Sequence, residues 1–119
     1  MYEYAAVLRS VHDGDTVRLD VDLGFDIHHA ALDVRLLGID CPELGRPDRR
    51  GEQARDFTNA WFYGHAGPYR LTTVRDRVDK YGRYLATIAA PDGAVLASDL
   101  LGAGLAKPYS GNGPRPVFP

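Results

Sequence analysis

Residues Thr16 to Leu23, "TVRLDVDL", alternate apolar and polar without a break. Val17, Leu19, Val21 and Leu23 project to one side and Arg18, Asp20 and Asp22 to the other, the period of a strand with one buried face. "YAAVLRSV" before it predicts another strand, and the Asp13–Gly14 pair between the two is a hairpin-turn signal. The run from Ile27 to Leu37 is strand-like, although Ala30 and Ala31 weaken its middle. The period then changes. In "GEQARDFTNAWFYG", Ala54, Phe57, Ala60 and Trp61 share one helical face, with Glu52 in the first turn and Gly64 as a stop. "YRLTTVRD" and "RYLATIAA" return to strand character, the second closed by the turn former "PDG". "AVLASDLLGAG" predicts a short helix ended by glycine. The tail "PYSGNGPRPVFP" is too rich in Gly and Pro for regular structure and is expected to pack as an extended arm.

Three strands, a helix, two strands and a helix fit a five-stranded antiparallel OB-fold barrel with a helix after the third strand. A generic α+β sandwich fits the same order. With 119 residues, one domain is expected. It is placed over residues 1–109, with 110–119 as the tail. No apolar run approaches a membrane span, and "MYEYAAVLRSVHDGD" lacks a basic start followed by an apolar block. These features lead to the expectation of a cytoplasmic, monomeric chain without a membrane or obligate protein partner. A single cysteine excludes an internal disulfide and a cysteine-built zinc site. The net charge of −2 argues weakly against a nucleic-acid binder. Its distribution argues otherwise: residues 1–45 hold three Lys/Arg against nine Asp/Glu, and residues 46–83 hold nine against five. An acidic segment followed by an arginine-rich one can hold a cation and a polyanion side by side.

Four pieces carry candidate chemistry. In "VHDGDTV" a turn accounts for Asp13 and Gly14 but not for Asp15, an acid at a strand entry where its β-propensity is poor. In "GIDCPE", Pro42 ends any ladder and forces Cys41 to be extended, leaving main-chain carbonyls without strand partners beside Asp40 and Glu43. Two aspartates plus a free carbonyl suit a hard cation such as Ca²⁺ or Mg²⁺. Arg35 lies an odd number of positions from Asp40, so the two side chains meet only if the strand breaks near Gly38. In "DRVDKYGRYLA" a turn at Tyr81–Gly82 delivers Arg83 to a strand start, with Lys80 and Tyr81 beside it. Guanidinium groups present paired donors that match phosphate oxygens. Each piece also has an ordinary explanation, as turn residues or solvated surface charge. The four histidines have no ligand-spaced partners and receive no role.

The blocks "DGDTVRL", "VRLLGIDCPE", "GEQARDF", "DKYGRYLA" and "LLGAGLAKPY" resemble, in this order, those of the staphylococcal nuclease (thermonuclease) family. The resemblance runs from about Val7 to Tyr109. It implies the OB-fold barrel and a calcium-dependent phosphodiesterase, with Mg²⁺ as a possible substitute. Such an enzyme cuts DNA or RNA endonucleolytically, with little sequence preference, to 3′-phosphate ends. Position by position it implies Asp15, Asp40 and the Cys41 carbonyl as metal ligands, and Glu43 as the carboxylate acting on the attacking water. Arg35 and Arg83 would hold the scissile phosphate, while Lys80, Tyr81 and Tyr109 would contact the rest of the substrate. The family's prototype continues into a further carboxy-terminal helix, which "SGNGPRPVFP" cannot form. A non-catalytic nucleic-acid or protein-binding module on the same barrel is the alternative, because a fold does not determine a function.

Overall fold

The computed structural model describes residues 2–79, 81–111 and 113–119, without the side chains of residues 74–77. Its elements follow the chain as β1 (Tyr2–Asp13), β2 (Thr16–Asp22), β3 (His28–Leu36), β4 (Ile39–Asp40), α1 (Arg50–Gly64), β5 (Tyr69–Val78), β6 (Tyr84–Ala89), α2 (Leu96–Gly102) and β7 (Lys107–Pro108). Five strands close into a barrel in the order β1-β2-β3-β6-β5, and β4 pairs with β7 in a separate two-stranded sheet. Pattern alone left a sandwich open; the closed barrel decides for the OB-like α+β arrangement.

The expected barrel was antiparallel throughout, and one seam corrects this. β3 pairs with β6 in parallel, Val34 opposite Tyr84 and Leu36 opposite Ala86. The other seams are antiparallel. The reason is parity: strands around a closed ring can alternate direction at every seam only if their number is even. Five strands require a parallel pair, and it falls where the chain returns after α1 and β5.

The alternation read in β2 is real, with Val17, Leu19 and Val21 buried in the barrel core alongside Val34, Leu36, Leu71 and Ile88. Burying such a side chain contributes about 1.5–3 kcal/mol relative to exposure. Leu23 departs from the expectation and is exposed, because β2 ends one residue before it. The weak Ala30–Ala31 segment is a register shift between β2 and β3. There Ala31 takes φ +53° and donates its N–H to Asp20 Oδ1 at 2.8 Å.

Helix α1 buries Gly51, Ala54, Thr58, Trp61 and Phe62. Thr58 replaces the expected Ala60 on that face, which is exposed. The Thr58 hydroxyl donates to the Gly14 carbonyl at 2.7 Å, so the helix is tied to the turn between β1 and β2. That turn is made by Gly14 and Asp15, one residue later than the Asp13–Gly14 signal suggested. A Cβ at Gly14 would lie 2.7 Å from the Ala54 Cβ and 2.9 Å from the Cys41 Sγ. Gly51 is tighter still: a Cβ there would stand 2.0 Å from the Glu43 carbonyl oxygen. Trp61 Nε1 donates to Asp99 Oδ2 at 2.8 Å and links α1 to α2. Among the described residues no helix is long and apolar enough to cross a membrane.

Substituting Gly51→Ala is expected to lower stability by about 3 kcal/mol, since the clash is with main chain rather than with a flexible side chain. Gly102→Ala in α2, where a Cβ meets nothing within 4 Å, should be neutral or slightly stabilising. Urea unfolding of the two variants measures the contrast.

Candidate active site

β3 ends at Leu36, and the chain turns through Leu37 and Gly38, which holds φ +86°. The expected break near Gly38 is present, and it lets Arg35 reach the far side of the turn. Arg35 Nη1 donates to the Ile39 carbonyl at 3.1 Å. Its Nη2 contacts two carboxylates, Asp40 Oδ1 at 2.7 Å and Asp15 Oδ2 at 3.3 Å. Asp40 is held by the β4–β7 pairing, opposite Lys107, and its side chain has no solvent exposure. Asp15 is 6% exposed. Its main-chain carbonyl accepts the Leu36 N–H at 2.9 Å, and its Oδ2 accepts the Cys41 N–H at 2.9 Å. Segments more than twenty residues apart in order are thus stitched together by main chain and side chain alike.

Burial pushes the Asp15 carboxyl up to about 7, with Asp13 adding to the rise and Arg35 opposing it. Asp13 is lowered: burial would raise it, but the Asp15 and His12 hydrogen bonds outweigh this. The Asp15 N–H donates to Asp13 Oδ1 at 3.2 Å, so Asp13 serves the turn. Burial, and then the negative charge of Asp15, push the Cys41 thiol up. Cys41 therefore stays a protonated, buried side chain, and its possible contribution to a cation is the carbonyl.

Arg83 enters from the other side. Its Nη1 donates to Thr16 Oγ1 at 3.1 Å, and the Thr16 hydroxyl donates to Asp15 Oδ1 at 3.3 Å. Asp79 holds the guanidinium in place, Oδ2 accepting from Arg83 Nε at 2.8 Å. Oδ1 of the same aspartate accepts the main-chain N–H groups of Tyr81 and Arg83, each at 2.9 Å. Tyr81 is 71% exposed, with its ring centre 5.1 Å from the Arg83 Cζ. Lys80 lies outside the described residues.

A pocket of about 690 Å³ opens above this cluster, and Asp15, Arg35, Cys41, Glu43, Tyr81, Arg83 and Tyr109 all line it. Asp40 lies just beneath, touching the pocket-lining Arg35. Eight of the nine residues singled out in the sequence thus converge. Tyr109 is fixed as part of the wall: its N–H donates to the Gly38 carbonyl at 2.9 Å and its hydroxyl to the Gly113 carbonyl at 3.0 Å. Glu43 is exposed, and its Oε1 accepts from Arg115 Nη1.

Three residues escaped the sequence reading. Thr16 and Asp79 carry Arg83; the aspartate was legible as the first residue of a D-x-x-G turn, whose carboxylate commonly caps main-chain N–H groups. Arg115 had no local signal, because its partners Asp40 and Glu43 lie 75 and 72 residues earlier.

The donors that could serve a metal are all oxygens: the Asp15 and Asp40 carboxylates and the Cys41 carbonyl. That chemistry fits a hard cation such as Ca²⁺ or Mg²⁺ and not a thiophilic one. Among the described residues no group of three or more His, Cys, Asp or Glu side chains encloses such an ion. An ion at this place would therefore complete its shell with water or substrate oxygen.

Residues 33–116 match the family described as staphylococcal nuclease homologue. Over 130 residues the chain is 28% identical to a protein named endonuclease Htp3 from Saprolegnia parasitica, a match that covers 94% of this chain. It spans 61% of the length of that relative. The family match takes in Arg35, Asp40, Glu43, Arg83 and Arg115 and begins after Asp15. This chain belongs to the staphylococcal nuclease homologue family.

Proposed function

We propose that this chain is a divalent-metal-dependent endonuclease that hydrolyses phosphodiester bonds of DNA or RNA, with Ca²⁺ as the cation and Mg²⁺ as a substitute. One observation carries the reading: three acids and two arginines converge at one pocket, and Asp15, Asp40 and Arg35 among them are at positions where charge is costly to bury. Family membership and the similarity to a protein named as an endonuclease support it.

Asp15, Asp40 and the Cys41 carbonyl would hold the cation, which when bound supplies positive charge to a phosphate oxygen as a Lewis acid. Glu43, exposed at the pocket wall, accepts the proton of the attacking water. Arg35 and Arg83 take up charge as it builds on the phosphoryl oxygens, each already oriented by carboxylates behind it. Tyr81, Tyr109 and Lys80 are the candidates for contacts with the remainder of the strand. Sequence preference is expected to be weak, because the groups named recognise phosphate and cation rather than base edges.

Cleavage of single-stranded DNA in Ca²⁺, abolished by chelator, is the expected result. Arg83→Ala should lower kcat by about 10²–10³-fold, the usual loss for a preorganised donor. Glu43→Gln should lower it by about 10²–10⁴-fold. Nucleic acid that is bound but left intact by the wild type would instead establish the binding-module alternative.

The raised Asp15 carboxyl adds a pH dependence in chelator. The folded chain holds this proton up to about pH 7, whereas the unfolded chain releases it near the ordinary aspartate value of 3.8. Between these values the folded state binds more protons, so raising pH through the window lowers stability. Asp15→Asn should flatten the slope. Thermal unfolding of both proteins from pH 4 to pH 7 reads the difference.

A further inference from the structure

We propose that Arg115 is an internal cation that occupies the acid cluster in place of the divalent ion, so that ion binding must expel its guanidinium. This rests on reading Asp15 and Asp40 as the cation's carboxylates.

Asp40 is fully buried, and both of its oxygens are covered by guanidinium groups. Oδ1 accepts from Arg35 Nη2 at 2.7 Å and from Arg115 Nη2 at 3.0 Å, and Oδ2 accepts from Arg115 Nε at 3.1 Å. Arg115 Nη2 also reaches the Cys41 carbonyl at 3.4 Å, and Nη1 pairs with Glu43. One side chain therefore engages Asp40, the Cys41 carbonyl and the carboxylate assigned to the water. The charge arithmetic explains why it is there. Arg35 is shared between Asp15 and Asp40, and Arg115 brings the second positive charge to the buried Asp40.

The guanidinium is delivered by a pinned strap. On one side Tyr109 bonds to Gly38 and Gly113. On the other, Phe118 is buried with Lys107 5.3 Å from its ring centre, and its carbonyl accepts from Arg46 Nη2 at 2.6 Å. The Arg115 side chain is itself 45% exposed, so it can swing into solvent without unseating either anchor. A divalent ion drawing on Asp40 Oδ2 and the Cys41 carbonyl, which Arg115 bonds and Arg35 does not, cannot coexist with it. Like charges a few ångströms apart repel, and the lone pairs that would coordinate the ion are those the guanidinium uses.

Calorimetric titration of Ca²⁺ into chelator-stripped protein tests this directly. Arg115→Gln should bind Ca²⁺ roughly tenfold tighter than wild type, since no partly buried ion pair has to break first. The stripped variant should also unfold at a lower temperature, with the gap closing at saturating Ca²⁺. Arg115→Lys, which keeps the charge, should bind like wild type or only slightly tighter. A second measurement needs no variant: reaction of wild-type Arg115 with phenylglyoxal, followed by peptide mass spectrometry, should accelerate on adding Ca²⁺. Equal or weaker binding by Arg115→Gln, or unchanged Arg115 reactivity at saturating Ca²⁺, overturns the proposal and leaves the cation reading intact. Absence of Ca²⁺ binding in both wild type and variant overturns the two together.

Discussion

A single guanidinium nitrogen, Nη2 of Arg35, touches two carboxylates that have almost no access to water. Much of the surrounding architecture follows from that contact. Breaking a buried pair by removing one partner costs about 3–5 kcal/mol, so the segments bearing these groups are strongly coupled in position. The chain must leave the barrel after Leu36, turn at Gly38 and come back as β4, or Asp40 would face away from Arg35. The turn between β1 and β2 must press against the same place, and the Cys41 N–H to Asp15 bond and the Thr58 hydroxyl on Gly14 hold it there. Glycine at position 14 follows from the same crowding by Ala54 and Cys41.

The parallel seam has a direct consequence for the chemistry. Its register sets Arg35 opposite Leu85, so Arg83 lies two residues before that partner, just ahead of β6. With Thr16 opposite Arg35 across the β2–β3 seam, the two arginines meet at one rim. Thr16 then connects them, accepting from Arg83 and donating to Asp15.

Periodicity revealed nearly every element, because β2, β3 and α1 each bury one face and leave the other wet. It was least accurate at the edges: Leu23, Ala60 and the Asp13–Gly14 turn were each displaced by where a strand ended or a helix docked. Those are tertiary outcomes that local pattern does not carry. The site was legible in a similar way. Arg35, Asp40 and Glu43 could be singled out because charge interrupts an apolar run, and Arg83 because a turn throws it onto a strand. Arg115 offers no such contrast. It stands in a Gly/Pro-rich stretch where an arginine breaks no pattern, and only the fold of Tyr109 and Phe118 onto the barrel shows where it goes.

Net charge, taken alone, argues against the proposed nucleic-acid substrate. The pocket resolves the conflict, because Asp15 and Asp40 lie beneath and two of its arginines above them, with Asp40 buried and Arg83 and Arg115 reaching solvent. A surface that only grips nucleic acid needs the upper layer and gains nothing from carboxylates under it, since they weaken the attraction for phosphate. Carboxylates in that place are useful if a cation is to be held against the phosphate, or if a water must lose a proton there. The costly lower layer is therefore the physical argument for hydrolysis over binding. It also accounts for a compensating guanidinium on the carboxy-terminal strap, since buried acids without their metal still need a counterion.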